Sequence, residues 1–557
     1  MHRSFILSSL SALFSIATAA PSSEISPRQT CEFDSANNPT CWGEYSLSTN
    51  WYDEAPDTGV VREFWWEITE TTAAPDGFSR PVQAINGSIP GPQIIADWGD
   101  TIIVHVKNSA TQNGSSIHWH GIRQEGSNLF DGVSGITQCP TAPGDSFTYQ
   151  WKATQYGTTW YHSHFSLQAW NGVFGGVIVN GPASAPYDED KGTLLLSDWY
   201  HPTVDSLFQG AQTGNIPAAQ NGLINGTNTY KDGGSKFQTT VTSGSRTRLR
   251  LVNTALDTHF RFTIDNHNLT VIAADLVPIQ PFTTDTINIG IGQRYDVIVE
   301  ANQDPGNYWL RAIPMSSCSS SNENSMNITG IFNYEGVDVA YPTTTGWSYS
   351  DNCDDETANL VPYVELDAAQ DGLTSEFEIG LSANGVFRWT INEQQFYTHW
   401  EYPTLQQVID QNSSWAEVQQ VNIFDEENEW VYFVIESQIG IAHPIHLHGH
   451  DFYVLGQQAA ATYESTDQLN FANPIRRDVA MLPPAGYLVI GFPTDNPGVW
   501  LLHCHIGWHT VEGLALQLVE RQSEIAAIVD ADYLAQSCSS WVDFTTDTEK
   551  IQDDTGI

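Results

Sequence analysis

The chain has 557 residues, of which 40% are hydrophobic and 19 are tryptophans, so it is long enough for several domains with sizeable cores. Acidic residues outnumber basic residues by 65 to 21, and the formal net charge is -44 at pH 7. A surface this acidic repels nucleic acids and anionic membranes, which excludes both as partners.

Residues 1–20 have the pattern of a secretory signal peptide. Arg3 supplies the positive start, an apolar stretch follows over residues 5–19, and Ala17-Thr18-Ala19 matches a small-residue cleavage site. The apolar stretch is too short and too polar for a membrane span. The sequence therefore predicts a secreted, extracellular protein, in which residues 21–59 form an N-terminal extension with a propeptide cleavage near Arg28 as one option.

Six Asn-x-Ser/Thr tripeptides, which are acceptor sequences for N-linked glycans, agree with export. These candidate glycosylation sites are Asn86, Asn113, Asn225, Asn268, Asn327 and Asn412.

The chain has seven cysteines, and this odd number leaves one unpaired in an oxidising compartment. If Cys504 binds a metal, the other six can form three disulfides. The local pairs Cys31–Cys41 and Cys318–Cys353 would then leave Cys139 to bond with Cys538. Six cysteines allow fifteen pairings, so this assignment is one hypothesis among several.

Short strands dominate the predicted elements. The runs DTIIVHVKN (100–108), RYDVIVEAN (294–302) and WVYFVIES (430–437) are rich in β-branched and aromatic residues and are bounded by turn formers. No long stretch has a sustained helical period. Many short strands with turn signals predict an all-β fold of sandwiches or barrels.

An internal repeat divides the chain. Residues 143–165, 291–312 and 485–505 each combine a glycine turn, a strand, a second turn and a tryptophan on another strand. We therefore predict three homologous domains, at 60–182, 183–345 and 362–537, with a linker at 346–361 and a C-terminal tail at 538–557. The middle copy has YWLRA where the outer copies have histidines, which places the chemistry between the first and third domains.

Ten of the 17 histidines lie in four clusters, together with the odd cysteine. The clusters are His118 and His120; His162 and His164; His443, His446 and His448; and His503, Cys504, His505 and His509. On a β-strand, residues i and i+2 point to the same face, so His-x-His presents two imidazoles side by side. A zinc site usually needs about four ligands, and the eleven candidate ligands do not divide into groups of four. Eleven ligands do suit four copper ions.

The motifs HWHG (118–121), WYHSH (160–164), HPIHLHGH (443–450) and HCHIGWH (503–509) resemble the four copper motifs of the multicopper oxidases. The resemblance covers nearly the whole mature chain and is strongest to the ascomycete-type fungal laccases. It implies three cupredoxin-like Greek-key β-sandwich domains and four copper ions: one type 1, one type 2 and two type 3.

The resemblance also implies a role for each of these ligands. His443, Cys504 and His509 would hold the type 1 copper, and His118 and His446 the type 2 copper. The type 3 pair would be held by His120, His162, His164, His448, His503 and His505.

The spacing in HCHIGWH connects two sites through one peptide segment. On a strand, His503 and His505 face away from Cys504, so this segment reaches both a cysteine-centred site and a histidine-only site. The resemblance implies one-electron oxidation of phenols and aromatic amines beside His509 and four-electron reduction of dioxygen to water at the three-copper cluster. Small aromatic reductants and dioxygen are the expected partners, and the protein is expected to be a monomer.

Three further residues near the motifs receive predicted roles. Leu514 lies where the resemblance places the axial position of the type 1 site, and leucine donates nothing to copper there. Asp131 resembles the aspartate that hydrogen-bonds near the type 2 copper, so we expect it, with His509 and Cys504, to be catalytic. Glu512 could modulate the type 1 site or face solvent, and solvent exposure is the favoured expectation.

The predicted substrate pocket departs from the family pattern. Gln220 stands where many fungal relatives have an acid, and Asp232 is the nearest, weak substitute. The terminal residues Asp553-Asp554-Thr555-Gly556-Ile557 resemble the terminus that enters the channel to the trinuclear site in ascomycete laccases, although a frayed tail is the default for a chain end.

Two alternatives stay open at this point. A multicopper oxidase could use Fe(II), ascorbate or a pigment precursor as its reductant, although the sequence shows no convincing carboxylates around His509 for a ferroxidase. A non-catalytic copper-binding protein is the other alternative, against which the connection through Cys504 argues because storage needs no electron path. The sequence does not choose between lignin degradation, pigment formation and detoxification.

Overall fold

The computed structural model describes residues 30–557 except residues 384, 413 and 553. The predicted signal peptide (1–20), Arg28 and Asp553 lie outside the described residues. A short hairpin of β1 (Cys41–Trp42) and β2 (Tyr45–Ser46) comes first and is closed by the Cys31–Cys41 disulfide.

The first unit is a sandwich of two four-stranded sheets. Its strands are β3 (Val61–Ala73), β4 (Arg80–Ile85), β5 (Ile94–Asp97), β6 (Thr101–Asn108), β7 (Ile117–Trp119), β8 (Ser146–Lys152), β9 (Gly157–Ser163) and β10 (Phe174–Asn180). The sheet orders are β4-β3-β6-β8 and β5-β10-β9-β7.

The second unit pairs a six-stranded sheet with a five-stranded sheet. Its elements are β11 (Glu189–Trp199), α1 (Val204–Ala211), β12 (Asn221–Ile224), β13 (Thr229–Tyr230), β14 (Gly233–Gly234), β15 (Phe237–Val241), β16 (Arg246–Asn253), β17 (Phe260–Ile264), β18 (Leu269–Ala274), β19 (Val277–Thr284), β20 (Thr286–Ile289), β21 (Arg294–Glu300), β22 (Asn307–Pro314) and β23 (Thr329–Tyr334). The orders are β12-β11-β16-β21-β18-β19 and β15-β23-β22-β17-β20, and β13 and β14 form a separate hairpin.

The third unit has the same arrangement, followed by helices. Its elements are β24 (Leu373–Ala383), β25 (Phe387–Ile391), α2 (Thr404–Ile409), β26 (Val421–Phe424), β27 (Trp430–Ser437), β28 (His443–Leu447), β29 (Phe452–Gln458), β30 (Ile475–Arg477), β31 (Val479–Leu482), β32 (Tyr487–Pro493), β33 (Gly498–Cys504), α3 (Gly507–Val511), β34 (Ala515–Glu520), α4 (Gln522–Ile528) and α5 (Ala531–Thr548). The orders are β25-β24-β27-β32-β29-β30 and β26-β34-β33-β28-β31.

The three units repeat one pairing scheme, as the sequence repeat predicts. In each first sheet a parallel pair is followed by an antiparallel strand: β3-β6-β8, β11-β16-β21 and β24-β27-β32. In each second sheet the corresponding series are β5-β10-β9-β7, β15-β23-β22-β17 and β26-β34-β33-β28. Consequently β7 and β9 of the first unit occupy the same places as β28 and β33 of the third.

One element was missed by the sequence analysis. Helix α5 spans Ala531–Thr548, so the predicted start of the tail at residue 538 falls inside a helix. Asp530 caps it by accepting a hydrogen bond from the Tyr533 backbone N–H, and the buried positions are Leu534, Cys538 and Trp541. Because only these three residues of a Ser- and Thr-rich segment are buried, the helical period is faint in the sequence.

The hydrophobic cores join the units. One buried cluster lies mainly in the second and third units and includes Leu167 of the first. A second cluster combines the first unit with residues of the other two, with α5 and with the last residue, Ile557. The Cys139–Cys538 disulfide links α5 to the first unit, and Cys318–Cys353 closes a loop on the second. Cys504 is a free, buried thiol. Among the described residues, no helix is long and apolar enough to cross a membrane.

Candidate metal centres and substrate cavity

Neighbouring strands bring the histidine clusters together. In the first unit, His118 of β7 is the register partner of His162 of β9. In the third unit, His446 of β28 pairs in register with His503 of β33. Since these strands occupy equivalent places in the two sandwiches, each unit presents one set of imidazoles from the same part of its sheet.

The two sets meet at the interface between the first and third units. His118 Nε2 lies 3.5 Å from His446 Nε2, and His505 Nε2 lies 3.3 Å from His120 Nδ1. Three buried triplets have ligand atoms within 4.8 Å of one another: His118, His120 and His446; His120, His162 and His505; and His164, His448 and His503. The eight histidines of the predicted trinuclear site therefore form one cluster.

Hydrogen bonds aim the ring nitrogens of this cluster. Nδ1 donates to a main-chain carbonyl in four rings: His118 to Asp131 at 2.9 Å, His162 to Ser163 at 2.9 Å, His446 to Asp478 at 2.7 Å and His503 to Cys504 at 2.9 Å. Within the described part of the chain, the Nε2 atoms of His162, His448 and His503 and Nδ1 of His505 are buried without a partner. In a metal-ligating histidine, one ring nitrogen is fixed by a hydrogen bond and the other is free to bind the metal, which is the arrangement seen in these rings.

The electrostatics of the cluster also suit a metal. Burial is the main cause that lowers the pKa of these histidines, and it lowers the pKa of His503 to about 4 and that of His162 well below its usual value. Repulsion from neighbouring imidazoles adds to the effect of burial in five further rings: His120, His164, His446, His448 and His505. The rings are therefore neutral at pH 7, with lone pairs free for coordination. The donor set, buried neutral imidazoles with orphaned nitrogens, fits copper ions.

Asp131 lies beside this cluster, where the sequence places it. It is completely buried, and its Oδ2 accepts a hydrogen bond of 2.9 Å from His448 Nδ1. Its Oδ1 lies 3.2 Å from His118 Nδ1. Asp131 thus orients one imidazole from each of the two units, His448 through its carboxylate and His118 through its main-chain carbonyl.

Asp478 is a cluster neighbour that the sequence analysis missed. Its Oδ1 lies 3.2 Å from His120 Nε2, and its carboxylate is held by Arg294 of the second unit at 2.5 Å. No motif or spacing marks it, because its partners come from distant parts of the chain. Through this pair the second unit supports a site to which it contributes no histidine.

The cysteine-centred site lies on the other side of β33. Cys504 Sγ is 3.7 Å from His443 Nδ1 and 3.6 Å from His509 Nδ1, and the three residues form a fourth group able to hold a metal. Burial raises the pKa of the Cys504 thiol well above its usual value, so the thiolate needs a cation beside it. Leu514 is buried and shares an apolar void with Cys504 and Ile445.

A cavity of about 360 Å³ opens beside His509, between the second and third units. Its walls are mainly apolar, with Trp389, Trp508 and Phe387 among the lining residues. His509 lines this cavity while its Nδ1 faces Cys504. An aromatic molecule in the cavity would therefore contact a ring that reaches the buried thiol.

The expectation that Glu512 faces solvent is wrong. This side chain is only 2% exposed and lines the cavity instead of facing solvent, because it caps the end of α3, the short helix that carries His509. Asp257, which the sequence analysis missed, also lines the cavity. Gln220 and Asp232 do not line it: Gln220 hydrogen-bonds Glu323, and Asp232 is exposed beside the β13–β14 hairpin.

The end of the chain is packed and not frayed. Asp554, Thr555 and Ile557 are buried, and Thr555 accepts a hydrogen bond from Thr398 N at 2.9 Å. Its hydroxyl donates to the Thr510 carbonyl at 3.3 Å, one residue after His509. The terminus therefore reaches the segment that carries the metal-site residues.

The remaining sequence predictions concern glycans. None of the six sequon asparagines is buried; Asn86 and Asn268 are exposed, and Asn113, Asn225, Asn327 and Asn412 are half-buried. Glycosylation at these positions stays a prediction.

Comparisons with known proteins agree on one family. Multicopper oxidase family models match residues 67–184, 190–337 and 383–524. Laccase-2 of Botryotinia fuckeliana is 49% identical over the whole of both chains, and a laccase of Cryphonectria parasitica is 41% identical over 97% of each.

Solved structures give the same assignment. A laccase from Botrytis aclada superposes with a TM-score of 0.91 at 48% identity, covering 95% of this chain and all of that one. Fet3p, described as a multicopper oxidase that functions in iron import, has a TM-score of 0.77 at 27% identity, covering 89% of this chain and 99% of that one. The chain, with its three cupredoxin-like domains, therefore belongs to the multicopper oxidases and, within them, to the copper-dependent oxidoreductases of the fungal laccase type.

Proposed function

We propose that the protein is a secreted laccase that couples one-electron oxidation of phenols and aromatic amines to four-electron reduction of dioxygen to water. Four copper ions would supply the redox chemistry. His443, Cys504 and His509 would hold the type 1 ion. His118 and His446 would hold the type 2 ion. Two triplets would hold the type 3 pair: His120, His162 and His505 for one ion, and His164, His448 and His503 for the other.

A single observation carries this proposal. Cys504 faces His509, which lines the aromatic-walled cavity, while its chain neighbours His503 and His505 lie in the eight-histidine cluster. A reductant in the cavity and dioxygen at the cluster would thus be joined by adjacent residues of one strand end. A storage protein has no need of such a connection, which argues against the non-catalytic alternative.

The chain's own residues provide binding, orientation and proton handling. The apolar walls of the cavity suit an aromatic ring, which would lie against His509. Asp131 fixes His448 and His118, and its position beside the cluster suits proton delivery to oxygen as it is reduced. The packed residues 554–557 are proposed to close the channel to this cluster.

A ferroxidase is the second candidate, because Glu512 and Asp257 supply the carboxylates near His509 that the sequence did not reveal. The mainly apolar lining favours the aromatic substrate, since Fe(II) prefers a site rich in oxygen and nitrogen donors.

Oxygen consumption by the copper-loaded protein tests the proposal. The phenol 2,6-dimethoxyphenol, ascorbate and Fe(II) should be compared side by side at matched concentrations. We expect the phenol to give the highest kcat/KM. Preference for Fe(II) would favour the ferroxidase, and no oxygen uptake with any reductant would favour the copper-binding protein.

A further inference from the structure

Among the described residues that line it, the cavity beside His509 carries two acidic groups. Of its described lining residues, Asp257 and Glu512 are the carboxylates, and no lysine or arginine is among them. The acids come from different units: Asp257 follows β16 of the second, and Glu512 follows α3 of the third. A ligand in the cavity is therefore exposed to two acids from different units.

The Glu512 carboxyl has an unused hydrogen-bonding atom. Its main chain is fixed, because its N–H donates to the Trp508 carbonyl at 3.1 Å and its carbonyl accepts from Trp389 N at 3.1 Å. Yet its Oε1 is buried with no partner among the described residues. A buried polar atom without a partner, on a side chain that lines a cavity, indicates a missing donor in that cavity.

Asp257 is oriented by a second buried acid. Asp198 accepts hydrogen bonds from the backbone N–H groups of Leu256 and Asp257, at 2.9 Å each, and from the Thr258 hydroxyl at 3.1 Å. These bonds fix the turn after β16 and hold Asp257 in the wall. Ser320, from the loop closed by the Cys318–Cys353 disulfide, hydrogen-bonds the Asp257 carboxyl.

The surrounding charges decide which ligands are favoured. Burial raises the pKa of Glu512, and the nearby Arg388 only partly offsets this rise. Arg388 does not line the cavity, and its side chain donates to the Phe387 carbonyl. Charges on apolar walls interact more strongly than charges in water. The net charge of -44 adds a long-range attraction for cations.

We propose that Asp257 and Glu512 make this cavity selective for charge: it takes aromatic reductants that carry an ammonium group and disfavours those that carry a carboxylate or sulfonate. This proposal rests on the laccase function proposed above and names the substrate class of its reducing site. The carboxylates act as specificity determinants, since the ammonium group would pair with them while the ring lies against His509.

The test uses two redox-inert ligands of matched shape, 4-methoxybenzylammonium and 4-methoxybenzoate. Their affinities for the copper-loaded protein are measured by calorimetry at low salt, above the pKa of the two carboxyls, which is about 7 for each. We expect the cation to bind at least about tenfold more tightly than the anion, and added salt to reduce the ratio. Equal affinities, tighter binding of the anion, or no binding of either ligand would overturn the proposal.

Isosteric variants locate the effect. Glu512→Gln and Asp257→Asn should each reduce the cation-to-anion ratio about threefold or more, and the double variant should bring it close to one. Asp232→Asn removes the same charge from an exposed position outside the cavity, so it should leave the ratio unchanged. A ratio that responds equally to Asp232→Asn and to the cavity variants would assign the preference to overall charge and overturn the proposal.

Turnover separates this proposal from the function on which it rests. The phenol 4-aminomethyl-2,6-dimethoxyphenol should have a higher kcat/KM than 4-hydroxy-3,5-dimethoxybenzoate, and the double variant should remove the difference. If the inert cation binds selectively but no reductant supports oxygen uptake, the laccase function fails while the charge-selective cavity stands. If both phenols are oxidised equally well, the selectivity fails and the laccase function stands.

Discussion

Asp131→Asn is expected to weaken the histidine cluster while leaving the Cys504 site intact. The substitution preserves the shape of the side chain but removes its charge. His448 Nδ1 then loses a charged acceptor at 2.9 Å, whereas His118 keeps its 2.9 Å hydrogen bond to the Asp131 main-chain carbonyl. The perturbation therefore acts mainly on one ligand of the cluster.

The expected size of the effect follows from burial. A hydrogen bond to a charged group contributes about 1 kcal/mol more than a neutral one, and an amide N–H₂ left without a good acceptor adds about 1 kcal/mol. Asp131 is completely buried, so water cannot compensate. A total of about 2 kcal/mol corresponds to about a 30-fold loss of copper affinity at the cluster, within the range typical of hydrogen-bond partners of metal-ligating histidines.

Chelator titration provides the assay. Copper bound per chain is followed at increasing chelator concentration, together with the blue absorption expected of the cysteine-centred ion. The variant should release cluster copper at lower chelator concentration and retain its colour. Asp145→Asn, which changes an exposed acid of the same unit, is the matched control. Unchanged copper retention, or equal loss from both sites, would refute the reasoning.

Three further predictions concern the axial position, the chain end and the cavity. Leu514→Met should lower the reduction potential of the cysteine-centred copper, because a thioether in the apolar void would stabilise Cu(II); a redox titration without a fall counts against it. Deleting residues 554–557 should change turnover or the KM for dioxygen, since this segment is buried and contacts Thr510, next to the metal-site residue His509. Unchanged kinetics would contradict the proposal that the segment closes the channel to the histidine cluster. Burial raises the pKa of Glu512 from 4.5 to about 7, so its ionisation opposes folding by up to about 3 kcal/mol, a penalty absent below pH 4.5 and complete above about pH 7. Glu512→Gln should therefore gain thermal stability relative to the parent as pH rises through this range. Melting temperatures of the variant and the parent that change in parallel with pH would contradict the raised pKa of Glu512.

The fold was predictable where strand patterns are strong. DTIIVHVKN, RYDVIVEAN and WVYFVIES correspond to β6, β21 and β27, and the repeat corresponds to equivalent strands in three sandwiches. Helix α5 was not predicted, because its buried face consists of three residues in an otherwise polar segment. Its disulfide to Cys139 was inferred from the odd number of cysteines, and the structure contains it.

The candidate metal residues were predictable because their spacing is local. His-x-His on a strand and the Cys504 segment carry their geometry in the sequence itself. The cavity residues were not predictable, since Asp257 and Glu512 line one cavity only when the second and third units pack together. Glu512 was wrongly expected in solvent, because no short-range pattern shows that the residue after α3 lines a cavity between two units.

Cys504→Ser tests most directly whether Cys504 joins the reductant cavity to the histidine cluster proposed to reduce dioxygen. Colour, total copper and oxygen consumption should be measured on one preparation. We expect loss of the blue absorption and of phenol-driven oxygen uptake, with the histidine cluster still loaded with copper. A serine variant that stays blue, or one that consumes oxygen with the phenol at the rate of the parent, would contradict it.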